Sequence, residues 1–193
     1  MLFSDAEANA LLDDHASRAT HLAVHSAYPG ATGASEVSSA RVAAGWGSAA
    51  ARELDLSAAV SLSMPAGSTA AWVSRWSAIS GGSFLGATPI GGSGSKEVQV
   101  DTTADTIVSE GHGFSNGDRV VFYNGTAPGG LTAGNEYFVV GSTADSFQVS
   151  ASDGGAVINL TSDGDVGLLV DGIVTETFGN AGTMTISALT ISI

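Results

Sequence analysis

Turn-forming pairs punctuate this chain at short intervals, and that spacing limits what it can fold into more than any other feature. Pro29-Gly30, Gly81-Gly82, Asn116-Gly117, Asn124-Gly125 and Asp153-Gly154 each favour a reversal of the backbone, and the segments between them read as strand and turn. Helices would want more Leu, Glu and Lys than a chain with 26 glycines and 13% charged residues offers. One helical pattern stands at the start. Ser4 and Glu7 form an S-x-x-E capping box, and Ala8, Leu11, Leu12 and His15 recur at helical spacing, which predicts a helix over about 5–17.

Period-2 alternation marks the strands. Val60, Leu62 and Met64 alternate with Ser61 and Ser63, and Pro65 and Gly67 end that strand. Shorter strands are read in 20–30 and 38–46. In TAAWVSRWSAI, Trp72, Ser74 and Trp76 share one face while Val73, Arg75 and Ser77 share the other, so this strand looks half buried before the Gly81-Gly82 turn and SFLGATPI. The closing TMTISALTISI alternates through Met184 and Ile186, then resumes in the opposite phase at Leu189, Ile191 and Ile193. That slip predicts a bulge near Ala188.

Between Gly91 and about Asp171 the texture changes. GGSGS (91–95) has linker composition, and IVSEGHGF, DRVVFYNG, NEYFVVG, SFQVS and AVINLT read as five short strands of a small barrel or sandwich. A local echo, Thr103-Ala104-Asp105-Thr106-Ile107 and Thr143-Ala144-Asp145-Ser146-Phe147, leads into a strand each time. The strands after 172 are too apolar to stand alone as a tail. They are expected to complete the first domain. The predicted architecture is mainly β: an antiparallel, jelly-roll-like β-sandwich with a short N-terminal helix (1–92 plus 172–193), carrying an inserted small β-barrel or sandwich (95–171).

The 193 residues include 19 acidic and 6 basic ones, a formal charge of -13, so the average surface field repels nucleic acid and anionic membranes. Lys96 is the only lysine, and Arg18, Arg41, Arg52, Arg75 and Arg119 are spread too widely to form a basic patch. Cysteine is absent, which removes disulfides, thiolate metal sites and a Cys nucleophile. MLFSDAEANALLDDH carries acids where a signal peptide needs bases, and no segment reaches the roughly 18 apolar residues of a membrane span. Folding in a cytosol is the expectation.

Chemistry-bearing motifs are sparse. His21 and His25 have metal-ligand spacing, but Leu22 occupies the glutamate position of H-E-x-x-H and no third ligand stands out. Ser93-Gly94-Ser95-Lys96 matches S-x-x-K only in letters, because it lies in a Gly/Ser linker rather than opening a buried helix. Asp153-Gly154 and Asp163-Gly164-Asp165 could donate oxygens to calcium, yet the twelve-residue loop ending in Glu is missing, so turn chemistry is expected and no cofactor. Glu53, Glu97, Glu110, Glu136 and Glu176 could supply a glycosidase pair, although nothing marks two of them as partners. Trp46, Trp72, Trp76, Tyr123, Tyr137 and Phe138 could stack on sugars or fill a subunit interface, against a plain core role. A non-enzyme is the expectation.

PGATGASEVSSARVAAGW, VSLSMPAGSTAAWVSRWSAISGGSFLGATPI and ETFGNAGTMTISALTISI together resemble small tailed-phage virion proteins of the tail fibre or minor tail type, over about 29–90 and 175–193. HGFSNGDRVVF, GGLTAGNEYFVVG and ADSFQVSASDGGAVINLTSDG resemble a β module inserted in phage structural proteins. The paired Trp72 and Trp76 flanking Arg75 depart from that pattern, which usually has a single aromatic near the GG turn. The resemblance implies a surface-exposed, tail-associated virion protein without catalytic residues, released by lysis, assembling with itself, as a trimer by analogy with fibres, and with other virion proteins. Contact with a host-surface glycan belongs to the same expectation. A head decoration protein is the alternative within this class, and a carbohydrate-binding module or a depolymerase are the rivals outside it.

Overall fold

The computed structural model describes residues 3–92 and 94–193. Helix α1 spans Asp5–Arg18, and the Ser4 hydroxyl accepts the Glu7 amide at 3.2 Å, as the N-cap half of the predicted box requires. Only Ala8 and Leu12 of this helix are buried. Strands β1 (His21–His25), β2 (Val42–Ala43), β3 (Glu53–Asp55), β4 (Val60–Met64), β5 (Ser68–Ala70), β6 (Trp72–Trp76) and β7 (Phe84–Pro89) follow. Next come β8 (Lys96–Glu97), β9 (Gln99–Asp101), β10 (Thr106–Val108), β11 (Arg119–Tyr123), β12 (Glu136–Val140), β13 (Ser146–Ser150) and β14 (Leu169–Gly172). The chain ends with β15 (Glu176–Phe178), β16 (Gly182–Ile186) and β17 (Thr190–Ser192). The fold is mainly β, with one short N-terminal helix and several antiparallel sheets.

Two compact units divide the chain: residues up to Thr88 together with Glu176–Ile193, and Pro89–Thr175. The base unit holds a four-stranded sheet in the order β2-β1-β6-β7. Paired along both edges, by β1 and β7, β6 buries Trp72, Val73, Ser74 and Trp76, residues of both faces, so the half-buried reading of this strand is corrected. Arg75 alone stays partly exposed and donates to the Thr88 hydroxyl at 3.0 Å.

The three C-terminal strands pair antiparallel with three earlier ones, β15 with β5, β16 with β4 and β17 with β3. Their registers run on from one another, so 53–70 and 176–192 form one long interrupted ribbon. One face of it buries Leu54, Val60, Leu62, Met64, Met184, Ile186 and Leu189. The other presents Ser61 beside Thr185 and Thr69 beside Thr177, each pair of hydroxyls 3.3 Å apart. Between Asp55↔Thr190 and Val60↔Ile186, four residues (56–59) stand opposite three (187–189). The phase slip read near Ala188 is therefore a one-residue register change, and the extra residue sits on the opposite strand.

In the second unit the strand order is β8-β14-β11-β12-β13-β10-β9. Only Val98 separates β8 from β9, so residues 96–101 act as one bent strand that pairs with β14 at one end and β10 at the other. The sheet closes on itself. A barrel of this kind removes free edges and fills its interior with side chains, here Ile107, Val120, Phe122, Tyr137, Val139, Phe147, Val149, Leu168 and Val170. The echoed turns lead into β10 and β13, which are neighbours with Ile107 opposite Phe147. Each turn aspartate holds a loop: Asp105 accepts the Leu160 amide at 2.7 Å and Asp145 the Gly111 amide at 3.0 Å. AVINLT is not a strand beyond a single bridge, Ser150↔Val157. Its amides bond instead to Val149, to Asp105 and to Gly129. The strand β14 takes the place expected for it.

Candidate functional site

Most of the aromatic set lies inside the two units rather than on their surfaces. Trp72, Trp76, Tyr123 and Tyr137 are buried, the plain core role, so these four are not placed for the interface or glycan contact held open for them. Their polar ends are engaged internally: the Trp76 indole donates to Ser74 at 2.7 Å, the Tyr137 hydroxyl accepts the Thr132 amide at 2.7 Å, and the Tyr123 hydroxyl bonds that of Ser95. Trp46 is half-buried, with its indole donating to the Ala19 carbonyl at 2.6 Å. Phe138 is half-buried with the Arg119 guanidinium 6.0 Å from its ring centre.

The most connected polar cluster of the base unit is built on β1 and β6. Antiparallel pairing sets His25 opposite Trp72 and Ala23 opposite Ser74, and both His25 and Ser74 are 0% exposed. One His25 nitrogen, Nδ1, lies 2.6 Å from the Ala34 carbonyl and the other, Nε2, 2.6 Å from the Ser74 hydroxyl. A carbonyl can only accept, so Nδ1 carries the proton, Nε2 accepts from Ser74, and Ser74 in turn accepts from the Trp76 indole. All donors and acceptors are matched with His25 neutral. Above Trp76, the Arg41 guanidinium sits 3.4 Å from the ring centre and pairs with Glu36 at 2.9 Å. A serine hydroxyl hydrogen-bonded to a histidine is the start of a nucleophile–base pair. Here both are sealed from solvent and the third group is a carbonyl, so the arrangement locks β1 to β6.

Burial pushes His25 below its ordinary value, Arg41 adds to that lowering, and the Ala34 carbonyl and Glu36 carboxylate oppose it. His15 is lowered chiefly by burial as well, then by Arg75 and Arg18, with Asp14 opposing. The unfolded chain therefore binds more protons than the folded one just below the ordinary histidine pKa of 6.5. Their contribution is present above that pH and is lost as pH falls through the folded values. Thermal unfolding of the base unit is expected at lower temperature at pH 5.5 than at pH 7.5, with His25→Gln flattening the dependence. An unchanged pH slope in that variant would rule out His25 as a source.

Strand geometry separates the two candidate metal ligands. His21 and His25 are four residues apart on β1, about 13 Å along an extended chain, and His25 has both nitrogens engaged. His21 lies beside the Thr20 hydroxyl at 2.9 Å. Among the described residues no group of three or more His, Asp or Glu is placed to hold a metal. Asp165 accepts the Thr126 amide at 2.8 Å, which lowers its carboxyl pKa, and it ties down a loop. Ser93 lies outside the described residues, while Lys96 pairs with Val170 in the barrel. Of the candidate carboxylates, Glu136 faces Arg119 at 3.5 Å, and Glu53 and Glu176 mark opposite ends of the ribbon. An open groove of about 310 Å³ in the barrel unit includes Phe114, Asp118, Arg119, Ile173 and Val174 in its lining. Arg119 in that groove also donates to Thr175 at 3.0 Å.

The hydroxyl-bearing face of the ribbon is exposed at Ser61, Thr177, Thr183 and Thr185. From Thr177 to Ile193 there is no charged residue and no proline. Sequence reading treated this segment as a core strand and passed over its missing charges, a signal visible without a structure. The polar cluster around His25 carried no such signal, because it joins residues from three distant segments. No helix among the described residues is long and apolar enough to cross a membrane. No family model matches the chain, and neither a curated protein nor a solved structure is significantly similar to it.

Proposed function

We propose that this chain is a structural component of a tailed-phage virion, surface-exposed and tail-associated, which works by assembly with itself and with other virion proteins rather than by catalysis. The observation that carries the reading is the architecture behind the sequence resemblance: a β base closed by its own C-terminal strands, with a closed barrel set into one connection. Both resemblance segments fall on separate units of that architecture. The buried tryptophans add support, since the same side chains that a sugar-binding module would present serve as core instead. Host-surface contact, where it occurs, then falls to other residues.

A head decoration protein is the second reading, favoured by the compact units and the lack of a fibrous repeat. Cryo-EM reconstruction of the parent particle tests both. Density for this chain on the tail is the expected result, density at capsid symmetry positions selects the alternative, and no density on the particle refutes both.

A further inference from the structure

We infer that the outer edge of the C-terminal strand, centred on β16, is where a second copy of this chain docks, strand against strand, in antiparallel two-fold pairing. The inference deepens the assembly reading and rests on it for the need of a partner, while the geometry names which partner and where. In the ribbon, the 53–70 segment has neighbours on both sides: Ser39 donates to the Ser63 carbonyl at 2.9 Å and Gly47 to the Asp55 carbonyl at 2.8 Å, across from the C-terminal strand. The 176–192 segment has a strand on one side. Among the described residues its pairings and hydrogen bonds run to 52–70. Its other side presents backbone N–H and C=O groups with no strand among the described residues against them.

Exposed strand edges are ordinarily guarded by lysine, proline, inward-pointing charge or very short length, because an unguarded edge templates pairing. This edge has none of the first three from Thr177 to Ile193, and it is rich in Thr and Ile. Charge selects the occupant. Two copies of a chain at -13 repel each other across most surfaces, and this uncharged run is a place where they can meet without opposing carboxylates. A single edge that pairs with its own copy in antiparallel fashion is self-complementary, so the contact is two-fold and closes after two chains. It extends the ribbon on both faces, continuing the hydroxyl row through Thr183 and Thr185 and the apolar row through Met184 and Ile186. The resemblance to fibres implies a trimer; this edge instead predicts an even-numbered assembly.

Sedimentation velocity of the purified full chain over a concentration series tests this. The expected result is reversible association to twice the 19.1 kDa mass. The double variant Thr183→Lys, Thr185→Lys sets lysines against lysines across the two-fold and should abolish the dimer, with the tryptophan-detected melting of the base unit retained. Those lysines also reduce the net charge of the chain, so general repulsion would change in the opposite direction. Should the double variant misfold, Ser187→Lys in the gap between β16 and β17 makes the same test. A monomer at all concentrations, a trimer, or a dimer indifferent to the folded lysine variant overturns the inference. Because the assay contains no particle, its outcome is separate from that of the reconstruction: a dimer of a chain absent from virions refutes the function and leaves the pairing standing.

Discussion

Gly33→Ala is expected to cost the base unit about 4 kcal/mol, combining left-handed backbone strain with overpacking. Gly33 has φ +77°, and a Cβ there would lie 2.3 and 2.5 Å from two Trp76 ring atoms and 2.8 Å from Phe84. Neither ring can step aside cheaply. The Trp76 indole is held by Ser74, its face is covered by Arg41, and Phe84 packs against its edge at 5.4 Å between centres. Trp46, Trp72 and Trp76 all belong to the base unit, so tryptophan fluorescence follows this unit alone. A fall in melting temperature of more than about 10 °C is expected. A change within about 2 °C would mean that the 29–35 loop opens without resistance and does not clamp Trp76.

Phe122→Ala should remove a similar amount, about 4 kcal/mol, from the barrel. Phe122 is fully buried on β11, 6.2 Å from Tyr137 between ring centres, in the cluster that fills the closed sheet. Truncation leaves a cavity bounded by strands that are paired on both sides and cannot collapse inward. The barrel contains no tryptophan, so the loss is read by amide exchange in 119–123 and 136–140. Protection that drops by less than about tenfold would contradict the placement of Phe122 at the centre of this core.

Local signals carried well into the fold. The N-cap at Ser4 and the alternation of Val60, Leu62 and Met64 depend on neighbours a few residues away, and the structure has both. The return of the C-terminal strands to the base was legible because apolar strands must be covered. Where sequence reading failed, distant partners decided. Ala156 to Thr161 has strand-like composition, yet its amides bond to Val149, Asp105 and Gly129. Leu169–Gly172, short and bounded by glycine, becomes a strand because β8 and β11 flank it. Trp72 and Trp76 alternate like a half-exposed strand, and nothing in their own segment reveals that β1 and β7 lie on either side. The His25–Ser74 lock was likewise invisible, since it needs the register of two strands about 50 residues apart in the chain.

The incoming and outgoing segments of the barrel unit run side by side: Val174 donates its amide to the Ile90 carbonyl at 2.7 Å, just before β8 and just after β14. A module whose two ends meet behaves as a cassette. It can be lengthened, exchanged or excised with a short join while the host chain keeps its path, since the base needs from this region only that β7 and β15 remain connected. Recombination thus has a ready cutting point in this gene product, where one inserted domain can be traded for another without breaking the pairing of the base strands.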